Sequence, residues 1–117
     1  MKIITETYTN NQDYIYIISD NQNRIKVGIS KNPEKRLKQL QTGHPNKLSL
    51  IFTEEFECER AHLLKIEALI HKELRNRTRH MKGEWFYIDE NQLQDIKDII
   101  TWNRIRYDSD PLAFKFR

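Results

Sequence analysis

Cysteine is nearly absent, with Cys58 the one thiol in 117 residues. A single cysteine excludes an intrachain disulfide framework and a thiolate metal cluster. The amino-terminal residues lack the basic-then-apolar pattern of a secretory leader, and no apolar run approaches the ~20 residues of a membrane-spanning helix. Internal repeats, low-complexity tracts and an obvious interdomain linker are missing too. Together these absences predict a soluble chain of the reducing cell interior, cytoplasmic and without a membrane partner.

What is present is charge. Charged residues make up 32% of the chain, and the net charge is +3 with an isoelectric point near 9.0. That mild basicity is compatible with nucleic acid without demanding it. The length predicts one domain over 1–117, able to bury roughly two thirds of its unfolded surface in a single core.

Tyr14–Ser19 and Arg24–Ser30 read as the two strands of a hairpin, joined by turn residues Asp20 to Asn23. Ile25, Val27 and Ile29 fall on one face of the second strand, and Lys26, Gly28 and Ser30 on the other. Gly28 is out of place, since glycine weakens a strand and marks a bulge or a close approach. A helix follows, with Asn32 to cap it, Pro33 at its first position, Glu34 at the positive end of its dipole and Gly43 beyond its end. Leu37 and Leu40 face inward from it. Leu48–Glu55 reads as a third strand. Leu63, Ile66, Ile70 and Leu74 then form the apolar stripe of a long helix from about Cys58 to Asn76. "GEWFYI" (83–88) is a turn into a short strand or extended segment, and Asn91 to about Trp102 a last helix. The core covers about 14–100; residues 101–117 form a basic, aromatic tail of unassigned structure. The expected class is α+β, a small three-stranded antiparallel sheet flanked by helices.

Four residues break their local patterns. Glu67 lies inside the apolar stripe of the long helix, where a carboxylate must reach an edge, pair with a cation or bind a metal. His71 follows one turn later. One Glu and one His do not make a zinc site; a lone carboxylate completed by waters and a substrate phosphate is the magnesium arrangement. Arg36, Tyr16 and Lys26 would each pass alone for solvated or packing residues. As a group they differ. Tyr16 and Lys26 can project from one hairpin face, with Gly28 leaving space between them, and the next helix carries Arg36. A phenol, an amine, a guanidinium and a carboxylate around one cavity suit phosphodiester hydrolysis.

At this point the chain resembles the GIY-YIG nuclease superfamily, in particular its short phage and bacterial branch with K-[IV]-G as second signature. "YIY" (14–16) stands where GIY does and "KVG" (26–28) where YIG does. Arg36 falls eight residues after the signature glycine, "IEALIH" (66–71) matches the glutamate helix and "GEWF" (83–86) the closing motif. The resemblance implies DNA cleavage with a single divalent ion, Mg²⁺ or Mn²⁺. Carried over by position, Tyr16 or a water beside it starts the attack, Arg36 steadies the phosphate, Glu67 holds the metal and His71 shuttles or orients a proton. For a phage-encoded chain, the compartment is the host cytoplasm.

Several positions depart from the family pattern: Tyr14 stands at the first-signature glycine, a change this branch tolerates, and the late asparagine of some relatives has no clear counterpart. Lys26 replaces the second-signature tyrosine, and a lysine is protonated at neutral pH. Its role is then electrostatic, leaving the base to Tyr16, His71 or water. Leu40 stands where the family often has His or Tyr, and His44 is close enough in sequence to fill that place. Lys31, Lys35 and Lys38, with Arg75, Arg77, Arg79 and Lys82 of "RNRTRHMK" (75–82), form the expected contacts to the DNA backbone, salt-dependent and largely sequence-blind. No base-reading module is recognisable, so sequence specificity is low or comes from a targeting protein partner. The alternatives are a nucleic-acid-binding module without turnover and an interaction protein on the same scaffold. Oligomeric state is left open by the sequence.

Overall fold

The structure is a computed structural model and describes residues 12–77, 79–80 and 85–109. It is α+β, with β1 (Gln12–Ser19), β2 (Arg24–Ser30), α1 (Pro33–Gln41), β3 (Ser49–Glu57), α2 (Arg60–Arg77), β4 (Arg79–His80), β5 (Trp85–Tyr87) and α3 (Glu90–Ser109). The strands form one sheet in the order β3-β1-β2-β5-β4, antiparallel at each pairing. The three expected strands form one side of it, with β3 at the edge, and β5 and the two-residue β4 extend it beyond β2, making five strands where three were expected. No helix among the described residues is long and apolar enough to cross a membrane.

The β1–β2 turn is built by polar side chains. Asn21 and Asn23 hold φ of 61° and 64°, a region asparagine tolerates better than most residues. Buried Asp20 accepts from the backbone N–H of Gln22 at 2.8 Å and of Arg24 at 3.2 Å, and pairs with the Arg24 guanidinium. The chain then enters α1 as its cap residues dictate: Asn32 Oδ1 accepts from Lys35 N at 3.1 Å, with Pro33 in the first turn.

Both sheet faces are covered, which is why Ile15, Tyr16, Ile17 and Ile18 are all buried. One face carries Ile15, Ile17, Ile25, Val27 and Phe56 against Leu63, Ile66, Ile70 and Leu74 of α2 and Ile96 and Ile100 of α3. The other carries Tyr16 and Ile18 with Leu48, closed by Leu37 and Leu40 of α1 and by Trp85. A side chain such as Ile15 or Leu63 gains about 1.5–3 kcal/mol by full burial.

The last helix is longer than its apolar periodicity predicts. Asp89 opens it by a reciprocal box, with Gln92 N to Asp89 Oδ1 at 2.8 Å and Asp89 N to Gln92 Oε1 at 3.0 Å. It runs past Trp102 because polar residues continue the inward stripe. Asn103 bonds the Ile99 carbonyl at 2.8 Å, Tyr107 Oη meets His62 Nδ1 at 3.0 Å, and Arg104 pairs with Glu54 of β3. Residues 101–109 of the expected tail are therefore helical; 110–117 lie outside the described residues.

Candidate active site

The β1–β2 register places Tyr16 directly opposite Gly28, Tyr14 opposite Ser30 and Ile18 opposite Lys26. A Cβ built on Gly28 would lie 2.5 Å from Tyr16 Oη and 2.7 Å from Cζ. The space over Gly28 is thus taken by the tyrosine ring itself, rather than standing open between Tyr16 and Lys26 as expected. Tyr16 is only 1% exposed and Lys26 8%, the latter set in the ladder between Ile18 and Trp85.

Beyond Gly28 the strand leads into a cleft of about 480 Å³. Ile29 and Ser30 of β2 form one side, the cap residue Asn32 with Lys35, Arg36 and Gln39 of α1 another, with Lys31 at the turn and Arg60 closing it from α2. Arg36 Nη1 reaches Gln39 Oε1 at 3.5 Å, so its guanidinium lies along the helix face that lines the cleft. Of the expected residues, Arg36, Lys31 and Lys35 meet here. Lys38 is exposed and does not line the cleft.

β5 pairs with β2 only at Arg24, Ile25 and Lys26, so among the described residues no strand covers the edge of β2 from Val27 onward. α2 fills that edge. His71 Nε2 lies 2.8 Å from the Val27 carbonyl oxygen, and its ring is tilted against Phe86 with centroids 5.8 Å apart. A carbonyl only accepts, so Nε2 carries the hydrogen and Nδ1 is the proton-accepting atom of the neutral ring.

At 3.6 residues per turn, Arg60, Leu64, Glu67, His71 and Arg75 fall on one stripe of α2, beside the buried stripe. Glu67 stands on it about 6 Å along the axis from His71 and about 10 Å from Arg60. It is half-buried, at the edge of the apolar stripe rather than within the core. Arg77 is turned away from this stripe, pairs with Glu73 at 3.1 Å and faces α3. The Arg79 side chain, Lys82, and Gly83 and Glu84 of "GEWF" lie outside the described residues.

Leu40 and the histidine expected to stand in for it, His44, both have structural places. Leu40 belongs to the apolar cluster around Tyr16, which a polar residue would break. His44 lies against Trp85, ring centroids 5.4 Å apart, and its Nδ1 accepts from Asn46 N at 3.2 Å. That puts it near the Lys26 end of β2, away from the cleft.

Asp13 and Arg60 were not anticipated from sequence. Asp13 is fully buried and accepts from Arg60 Nε at 2.9 Å and Nη2 at 2.8 Å, with Lys31 Nζ 3.9 Å away. A signal existed in the sequence: Asp13 shares the strand alternation of Ile15 and Ile17, where a carboxylate needs a cation.

Among the described residues no three His, Cys, Asp or Glu side chains group to hold a metal. Among the described residues, the carboxylate on the α2 stripe at this edge is that of Glu67. One carboxylate, with waters and a substrate phosphate completing the shell, fits Mg²⁺ and does not fit a structural zinc site.

The family model of the T5orf172 domain matches residues 13–102, a span that takes in β1 through most of α3. No curated protein and no solved structure matches the chain.

Proposed function

The chain belongs to the T5orf172 domain family, a phage-associated domain related to nuclease-like folds, and from that premise we propose that it is a metal-dependent DNA endonuclease of the GIY-YIG type. The observation that carries the reading is the convergence on one end of β2. Gly28 seats Tyr16, the cleft that begins at Ile29 holds Arg36, and the uncovered strand edge receives the α2 stripe bearing Glu67 and His71.

Glu67 would hold one divalent ion, which supplies positive charge to the phosphate oxygens and the leaving group. Arg36 binds the non-bridging oxygens from the cleft side, a bidentate task suited to guanidinium. His71 accepts the proton of the attacking water at Nδ1, its ring fixed by the bond from Nε2 to the Val27 carbonyl. Tyr16 orients that water or the phosphate through its hydroxyl. Lys26 adds positive charge behind the sheet face. Lys31, Lys35 and Arg75 extend contact along the DNA backbone, and Arg77 does not, given its turn toward α3.

The burial of Tyr16 and Lys26 favours a second reading, a DNA-binding module without turnover. Supercoiled plasmid separates the two. The nuclease reading expects nicked circles with Mg²⁺ or Mn²⁺ and none with chelator. Retardation of plasmid with no metal-dependent nicking selects the binding module, and neither nicking nor retardation refutes both.

A further inference from the structure

Seen from the cleft, every charged side chain on the lining is cationic: Lys31, Lys35, Arg36 and Arg60. The balancing carboxylate, Asp13, lies behind Arg60 and is itself only 1% exposed at its side chain. It engages the guanidinium through Nε and Nη2. Guanidinium has five N–H donors in a rigid plane, so this grip leaves three, two on Nη1 and one on Nη2. The Arg60 side chain is 47% exposed, and it is the cleft that it lines. A surface arginine normally loses much of its affinity for a ligand by being ordered. Here a buried carboxylate has ordered it in advance.

Resting on the nuclease reading above, we propose that Arg60, oriented by Asp13, is a second phosphate anchor, binding the DNA backbone phosphate next to the one that Arg36 holds. A cleft of about 480 Å³ has room for both groups. Arg60 sits on the α2 stripe that also carries Glu67, so the same helix sets the strand's position and the metal's. Two anchored phosphates fix the direction of the strand through the site, which a single contact does not.

The test is fluorescence anisotropy with a fluorescein-labelled DNA duplex in chelator, over a range of salt concentrations. The informative variant is Asp13→Asn with Arg60→Gln, which removes one charge of each sign and leaves the local net charge unchanged. An ion pair with only a structural role predicts unchanged affinity and salt slope. A phosphate anchor predicts that the slope of log K against log salt shrinks by about 0.9 and that affinity at 0.1 M salt falls about eightfold. Arg60→Lys provides a second readout that keeps the charge beside Asp13. One ammonium cannot serve carboxylate and phosphate in the fork geometry, so its affinity falls several-fold while its melting temperature stays near wild type. If both variants bind like wild type, the Arg60 assignment is wrong and the nuclease reading stands. If the wild-type chain neither binds nor cuts DNA, both fall.

Discussion

Replacing Gly28 with alanine tests the innermost part of the site. Gly28 lies in β2 with no positive φ, so alanine carries no backbone penalty there. The whole cost must come from its Cβ, set 2.5 Å from Tyr16 Oη and 2.7 Å from Cζ. Tyr16 is fully packed among Ile18, Leu48, Leu37 and Leu40 and cannot swing clear without displacing α1. Overpacking of this kind costs about 1–3 kcal/mol. In a chain of this length that lowers the melting temperature by about 4 °C per kcal/mol. The sign should reverse when the ring is removed. In a Tyr16→Val background, Gly28→Ala becomes stabilising by about 0.5–1 kcal/mol, the ordinary gain of alanine over glycine in a strand. Urea unfolding of the four proteins closes the cycle. Gly28→Ala that is neutral or stabilising with Tyr16 intact would refute the claim that glycine is there to seat the phenol.

Arg36→Ala should reduce cleavage by about 10²–10³-fold, as for loss of a donor to transition-state charge, with the melting temperature little changed. Single-turnover plasmid nicking beside a thermal melt measures both. Gly43, just past α1, holds φ of +79°, and a Cβ there would meet nothing within 4 Å. Gly43→Ala therefore costs about 1–2 kcal/mol through the backbone alone. Gly43→Asn should cost less, and equal losses for the two in urea unfolding would contradict that account.

The features legible in sequence were those written by local chemistry. The β1–β2 hairpin followed from alternation around four turn residues, α1 from its Asn32–Pro33 start and α2 from the spacing of Leu63, Ile66, Ile70 and Leu74. What escaped depended on partners distant in sequence. β5, legible only as a short strand or extended segment, is fixed as a strand by pairing with β2 and β4, while α3 runs on past Trp102 to Tyr107, whose hydroxyl meets His62 of α2. At the site, Glu67 and Arg36 were visible as pattern breakers, with His71 one turn after Glu67. The register that sets Tyr16 over Gly28 was not, because alternation says which face a residue takes and not which residue lies across from it. Arg60 was hidden for a related reason. Its meaning comes from Asp13, 47 positions earlier in the chain.

In the proposed function, the Glu67 carboxylate on the α2 stripe is what makes this fold a metal-dependent nuclease. The most direct measurement compares wild type with Glu67→Ala on supercoiled DNA, with Mg²⁺ or Mn²⁺ and with chelator, alongside retardation of the same DNA. The expected result is nicking by wild type that chelator abolishes, and no nicking by Glu67→Ala although it melts and retards DNA like wild type. Equal nicking by the two proteins, or a wild type inert in every metal, would contradict it.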